Sequence, residues 1–448
     1  MSTYPLDWRE VTQEAVSLLS SLLQIDTTNP PGNELPAAQL LASYLTRAGL
    51  SPELIESAPG RGNVLCRLAG NGTGGGPLLL NAHLDVVPAN PSAWQQPPFS
   101  GAIVDGYLWG RGAIDMKHMA AMSAVVLGLL HRLRVPLSRD IIFAGVADEE
   151  TGCALGAQYL VDHFPEKVRA EYVLGEVGGF TLHLNGRRLY PVQVAEKGVA
   201  WLRMTARGTP GHGSMPHADN AVVKLSEAIA RLGRNRLPQH NTPVVERFLR
   251  QLSGLQPLPA RVAIPLLLRP ELSGVILSRL MPDRRVAASF AAALSNTVSP
   301  TVLSAGVATN VIPDQASAEL DGRTLPGQSP DDLIRELKAM VGEDIDFEVI
   351  RSAPPVESPE DPTVFRAIQE ALDEHDPGSA AIPYLVPGFT DAKAYHQLGA
   401  KCYGFAPVQL PKDLKFAEMY HGNDERLPVD GLRWGTRVLF DVVRRLAS

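Results

Sequence analysis

Two hydrophobic periods alternate along the first third of this chain. Val11 to Leu23 and Leu35 to Ala48 carry apolar residues at helical spacing, and NPPGN between them supplies the break. From Asn63 the pattern turns strand-like through NVLCRLAG, and NGTGGG reads as a hairpin turn. The run from Leu78 to Ala82 that follows is short and flanked by glycines, which favours a buried strand over a core helix. Lys117 to Leu133 returns to helical intervals, and DIIFAGVADEE then repeats the earlier plan, an apolar strand delivering acidic residues at its carboxyl end. Strands alternating with helices predict an α/β fold with a mostly parallel central sheet and flanking helices. Ligands of such a sheet gather beyond the carboxyl ends of its strands.

Near Tyr190 the character changes. VAWLRMTARG alternates like a strand with one wet face, Ala221 to Leu232 fits a helix, Ala316 to Leu320 is a second alternating strand, and Pro330 to Val341 a second helix. These predict a smaller α+β domain at 191–352, inserted between a first part of the larger domain at 1–190 and a second part at 353–448. Within the insertion, about 233–300 gives no clean period through PQHNTPVVERFLRQL and LLLRPEL, and reads only as an elaboration. Helices at Val364 to Asp373, Ala392 to Leu398 and Val429 to Leu446 complete the larger domain.

Composition narrows the function. A chain of 448 residues with 45% hydrophobic and 20% charged residues is globular and should form about two to four units. A formal net charge of -7 gives no electrostatic support for nucleic acid or an anionic membrane as partner. No run approaches the roughly 18 apolar residues needed to span a bilayer. The start, MSTYPLDWREVTQE, has neither a basic nor an apolar signal segment, so a cytoplasmic protein is expected. Cys66, Cys153 and Cys402 are few, scattered and odd in number, which indicates neither a disulfide framework nor a Cys-type zinc site.

The chemistry concentrates in His83, Asp115, Glu149, Glu150, Glu176 and His421, each at a strand end or in a turn. Taken singly, each has an ordinary reading: a packed histidine for His83, a helix cap for Asp115, a solvated acidic turn for Glu149 and Glu150. Together, two imidazoles and three carboxylates suffice for a pair of divalent ions if one carboxylate bridges, and Asp115, between strand and helix, is the natural bridge. Asp85 lies two residues beyond His83, on the same side of an extended backbone, where it could hold the ring. Glu149 and Glu150, adjacent on an extended backbone, would point to opposite sides, one toward an ion and the other toward substrate as general base.

The segments NAHLDVVP, GRGAIDMK, ADEETG, GEVGG, PGHGSMPH, NVIPDQASAELDGR, GFTDAKAY and MYHGNDE, in this order between residues 81 and 425, resemble the M20 family of co-catalytic zinc peptidases and amidohydrolases. Carboxypeptidase S-like enzymes, aminoacylases, acetylornithine deacetylase and succinyl-diaminopimelate desuccinylase belong to it. The resemblance implies that His83 and Glu176 ligate one zinc, Glu150 and His421 the other, with Asp115 bridging, Asp85 orienting His83 and Glu149 as the base. It also implies that the larger domain is catalytic and that the insertion is a lid that often forms a homodimer contact. His212, in a Gly- and Pro-rich loop, would contact the tetrahedral intermediate, from its own or a partner subunit, and Asn310 would help hold the reacting group. Asp321 and Arg323 lie two apart on one strand face, so Arg323 could clamp a substrate carboxylate bidentately while Asp321 restrains it. Asp391 and Asp424 read as support, and His217 and Lys393 carry no assigned role.

The expected reaction is hydrolysis of the amide bond of a short peptide or N-acyl-amino acid with a free carboxylate. Glu149 would deprotonate water activated by the ions and return the proton to the leaving amine, and His212 would help stabilise the oxyanion. Zinc is the expected metal, although cobalt or manganese suits the same ligands. The long apolar elaboration, including VAIPLLL, leans toward a larger apolar substrate. Two alternatives stand beside this reading: a biosynthetic deacylase of N-acetyl- or N-succinyl-amino acids, and a non-catalytic metal-stabilised binding protein.

Overall fold

The computed structural model describes residues 6–281 and 284–448. It divides into two compact units, one comprising residues up to Val194 with Ser358–Tyr384 and Thr390–Ser448, the other comprising Ala195–Glu357 with Leu385–Phe389.

The first unit opens with helices α1 (Trp8–Leu23), capped by Asp7, and α2 (Leu35–Arg47). Strands β1 (Glu53–Ala58), β2 (Arg61–Leu68) and β3 (Leu78–His83) lead to α3 (Lys117–Arg132), followed by β4 (Ile141–Val146), β5 (Tyr172–Gly175) and β6 (Arg187–Glu196). After the second unit, α6 (Pro362–His375), β13 (Lys401–Gly404) and α7 (Val429–Ala447) return to it. The intervening labels belong to the second unit, whose elements are β7 (Gly198–Arg207), β8 (Gly211–His212), α4 (Ala221–Arg234), β9 (Thr297–Ala305), β10 (Val311–Ile312), β11 (Gln315–Thr324), α5 (Pro330–Val341) and β12 (Ile345–Ala353).

The sheet of the first unit runs β1-β2-β4-β3-β5-β13-β6 and is mixed rather than mostly parallel. Of these strands, β4, β3, β5 and β13 run parallel, whereas β1–β2, β2–β4 and β13–β6 are antiparallel. The reason lies in APGR: Ala58 pairs with Arg61 across a two-residue turn, and a connection that short can join only antiparallel neighbours. Helix α3 is buried from Lys117 through Leu130, so it has no wet face and sits as a core helix among α1, α7 and β3. The buried Lys117 ammonium caps the end of α1, donating to the carbonyls of Leu22 and Ile25. Among the described residues no helix is long and apolar enough to cross a membrane.

The second unit is an antiparallel sheet, β9-β11-β7-β12, whose core gathers Leu202, Met204 and Leu320 from the strands with Leu225, Leu333 and Leu337 from α4 and α5. Two of its strands and both sheet-covering helices match the expected pattern. The elaboration is helical, with helices at Pro243–Gly254, Ala260–Leu266, Pro270–Val275 and Arg284–Leu294. Pro243 and Pro270 occupy first helical turns, where proline loses no hydrogen bond, and Pro265 lies inside a helix. In segments this short, prolines that open helices read in sequence as breaks.

Lys197, just before β7, is fully buried and has no carboxylate partner among the described residues; its ammonium donates to the carbonyl of Ser295 and to Thr297 Oγ1. Burial, reinforced by the Arg323 charge, pulls its pKa down to about 7. Between that value and its ordinary value of 10.5, the unfolded chain holds more protons than the folded one, so this lysine makes stability rise with pH. Below pH 7 both states are protonated and the penalty is complete. Comparing urea unfolding of the wild type and Lys197→Met from pH 6 to 10 should show the wild-type curve climbing relative to the variant's.

Candidate metal centre and active site

The site forms where β3, β4 and β5 end. His83, the last residue of β3, is fully buried, with Nδ1 3.0 Å from the main-chain carbonyl of Asp85. That contact makes Nδ1 the protonated nitrogen and turns the lone pair of Nε2 toward carboxylates, Asp115 Oδ1 at 3.0 Å and Glu176 Oε2 at 3.6 Å. A lone pair facing two carboxylate oxygens requires a proton or a cation between them. Burial disfavours the charged imidazole, but hydrogen bonds with Asp115, Asp85 and Glu176 outweigh it and hold His83 well above the usual histidine range.

Asp85 therefore supports the ring with its backbone, with Oδ1 also 3.5 Å from Nδ1, and its carboxylate serves the next strand end as well. It accepts the backbone N–H groups of Glu149 and Glu150, both at 3.1 Å, and the side-chain amide of Asn29 at 2.8 Å. Those two glutamates are not extended, as expected from sequence, but open a tight helical turn, Glu149–Thr151. The turn follows Asp148, whose φ of 67° sets the reversal, and it still sends the side chains apart. Glu149 comes within ligand distance of His83 and Glu176, and Glu150 within ligand distance of His83 and Asp115. His421 closes the second cluster, its Nε2 3.1 Å from Glu150 Oε2 and 3.3 Å from Asp115 Oδ2.

These two clusters fit a pair of divalent cations on their own chemistry. Glu150 Oε1 and Glu176 Oε1 are buried without a hydrogen-bond partner, a costly arrangement for carboxylates that a metal would satisfy. Burial pushes Glu176 up to about 8, and burial with the Glu176 charge raises Glu149 well above its ordinary value. Asp115 is held low in spite of burial by its hydrogen bonds to His421 and His83, and the same carboxylate together with Glu150 lifts His421 to about 10. Three residues here hold positive φ without being glycine: Asp148, His421, and Val177 at 57°, a conformation especially strained for a β-branched residue.

Asp115 is no helix cap. The cap position of α3 is Met116, which makes no side-chain bond, and the loop of Asp115 is held from outside by Glu425. That buried carboxylate accepts from Arg111 Nη1 and the backbone N–H groups of Gly112, Ile114 and Asp115. Sequence reasoning also missed Asn29, inside a motif read as a helix break, and the buried ion pairs of Arg61 with Glu34 and Asp148 that brace the turn before Glu149. For Glu425 the signal was present in MYHGNDE, but the reading stopped at His421 as a ligand and at Asp424 as support. Asp391 accepts from Asn81, which in turn accepts from Tyr395. Asp424 instead binds Gln95 at the surface.

His212, Asn310 and Arg323 belong to the second unit. β8 pairs with β10, His212 opposite Val311, and Gly213 N–H donates to the Asn310 carbonyl at 2.8 Å, so His212 and Asn310 share one two-stranded turn. The backbone N–H of Ser214 donates to His212 Nδ1, which leaves Nε2–H as the outward donor of the neutral ring. Arg323 is held by Asp321 through Nε (2.7 Å) and Nη2 (3.0 Å), with its guanidinium over the Phe389 ring. Its Nη1 is buried without a partner, so the edge left for an incoming carboxylate is the Nη1/Nη2 end of the fork.

The model of peptidase family M20/M25/M40 matches residues 79–445, and the chain belongs to this family as a metallo-hydrolase. It is 30% identical over 371 residues to N-fatty-acyl-amino acid synthase/hydrolase PM20D1 of Xenopus tropicalis, covering 80% of this chain and 70% of that one. Aminoacylase-1 of Sus scrofa is 28% identical over 459 residues, covering 98% of this chain and 97% of the relative. Among solved structures, an M20 family metallo-carboxypeptidase from Sulfolobus solfataricus shares the fold with a TM-score of 0.70 at 18% identity, over 97% of this chain and 99% of that one.

Replacing Asp85 by Asn would set an amide N–H against at least one of the backbone N–H groups it now accepts. Activity is expected to fall by about 10–100-fold and stability by about 1–3 kcal/mol. Turnover and urea unfolding of Asp85→Asn measure both.

Proposed function

We propose that the chain hydrolyses the amide bond of N-acyl-amino acids or short peptides that carry a free carboxylate. The observation that carries this reading is Glu149, a buried carboxyl beside His83 and Glu176 that no cap or ion pair accounts for. His83 and Glu176 would hold one divalent ion, Glu150 and His421 the other, with Asp115 between them; zinc suits this set, and cobalt or manganese would be accepted. Bound there, the ions supply Lewis acidity toward a carbonyl and toward water.

Glu149 takes the proton from the attacking water and returns it to the nitrogen of the leaving amine, so one residue is base and then acid. Asp85 fixes that carboxyl through the amides of Glu149 and Glu150 and also fixes the tautomer of His83. From the second unit, a lid and contact surface for a homodimer in this reading, His212 offers Nε2–H to the developing oxyanion and Asn310 holds the reacting group. The free end of Arg323 takes the substrate carboxylate, which orients the amide and excludes substrates lacking that charge. The likeness to N-fatty-acyl-amino acid and acyl-amino acid hydrolases favours N-acyl-amino acids over dipeptides as first substrates. A biosynthetic deacylase of N-acetyl- or N-succinyl-amino acids is the second reading, its N-succinyl form favoured by 34% identity over 220 residues, 47% of this chain and 54% of that one, to a succinyl-diaminopimelate desuccinylase of Methylorubrum extorquens.

Zinc-loaded protein offered dipeptides and N-acetyl-, N-succinyl- and long-chain N-acyl-amino acids, with products identified by mass, should release free amino acid from the acyl series. Cleavage confined to the N-succinyl compounds would favour the second reading, and no cleavage with two ions bound would sink both. Glu149→Gln should keep both ions and lose about 10²–10⁴-fold in kcat. By contrast, metal analysis of Asp115→Ala should show weakened binding of both ions.

A further inference from the structure

We infer that Glu425 is a positioning residue that makes the loop of Asp115 and the loop of His421 move as one body. The ion position of Asp115, Glu150 and His421, which needs both loops, would then depend on it more than that of His83 and Glu176, which needs only the Asp115 loop. The inference rests on the ligand assignment proposed above.

Glu425 is fully buried, and its two oxygens divide four donors between them. Oε2 accepts from Arg111 Nη1 at 2.7 Å and Gly112 N–H at 3.1 Å, and Oε1 accepts from Ile114 N–H at 2.7 Å and Asp115 N–H at 3.2 Å. Two further bonds run between the same loops: Arg111 Nη2 donates to the Gly422 carbonyl at 2.7 Å, and Gly110 N–H to the Glu425 carbonyl at 3.1 Å. Both loops also leave one antiparallel ladder, in which Arg426 pairs with Trp109 and Leu427 with Leu108. The tie begins four residues from His421 and ends on the amide of Asp115 itself. His83 and Glu176 are placed separately, by β3 and by the end of β5.

No neutral isostere reproduces this. A glutamine at 425 has one acceptor oxygen, so in either orientation its NH₂ faces two N–H donors and leaves that pair unsatisfied in a buried position. If the lost pair is Ile114 and Asp115, the bridge loosens directly; if it is Arg111 and Gly112, the tie to Gly422 and the His421 loop loosens. Either way the cluster that needs both loops loses its geometry.

The experiment is a titration of Co²⁺ into metal-free wild type and Glu425→Gln, read by calorimetric stoichiometry and by the visible absorption of bound cobalt. The wild type should take two ions. The variant should take the first within about threefold of wild-type affinity and bind the second about 10–100-fold more weakly. A wild type that takes fewer than two ions refutes the ligand assignment itself. Two ions in the wild type with unchanged binding in the variant, or with both ions weakened equally, refutes the role of Glu425 alone. Near-UV circular dichroism establishes that the variant is folded. Should it not be, Arg111→Met, which cuts two of the bonds and leaves the backbone donors, must show the same order of loss in smaller measure, and equal or absent loss there overturns the inference.

Discussion

Carboxylates crowded against one buried imidazole nitrogen are the constraint on which the first unit depends. Asp115, Glu149, Glu150 and Glu176 lie around His83 at distances where anionic charges repel strongly, in a place almost without solvent. Such a cluster persists only if its backbone is fixed independently of its side chains and if positive charge enters. The parallel strands supply the first condition, because three neighbouring strand ends converge without relying on contacts among the ligands. The second is the reason the family is one of metal enzymes rather than of general acids alone.

The ties that hold the cluster are themselves anionic, and each works by taking backbone N–H groups. Asp85 accepts the amides of Glu149 and Glu150, Asp148 that of Leu155, and Glu425 those of Gly112, Ile114 and Asp115. A carboxylate bonded in this way stabilises a turn that would otherwise leave donors buried and unpaired, and it can hold residues such as His421 and Asp148 at positive φ. Charge repulsion at the centre and amide-bonded carboxylates at the periphery are therefore two parts of one arrangement.

Much of this was legible in the sequence, and the failures have physical causes. The alternation of strand and helix, the core helix from Lys117 and the acidic strand ends at Asp85, Glu149 and Glu176 follow from periodicity, which is a local property. The antiparallel flank of the sheet was missed because β1 alternates weakly and the hairpin was read at NGTGGG, between β2 and β3, which do not pair, rather than at Pro59 and Gly60. The helices between Pro243 and Leu294 were hidden by prolines that begin helices as readily as they end them. Asn29 and Arg61 lay beyond sequence reasoning for another reason: their partners are 27 to 122 residues away, and nothing local marks a side chain whose work is to accept or donate across the fold; Glu425 lay inside a marked segment, but its partner Arg111 is 314 residues away.

Residue 85 divides its work between two kinds of atom. Its main-chain oxygen fixes the imidazole of His83, and its carboxylate fixes the turn of Glu149 and Glu150. Exchange of the side chain leaves the main-chain contact to Nδ1 untouched, so a mutational scan registers only part of what this position does. The rest would answer to backbone chemistry, an ester in place of the amide between residues 85 and 86, which weakens the carbonyl as an acceptor, removes the Val86 N–H that donates to the Thr27 carbonyl, and leaves every side chain in place.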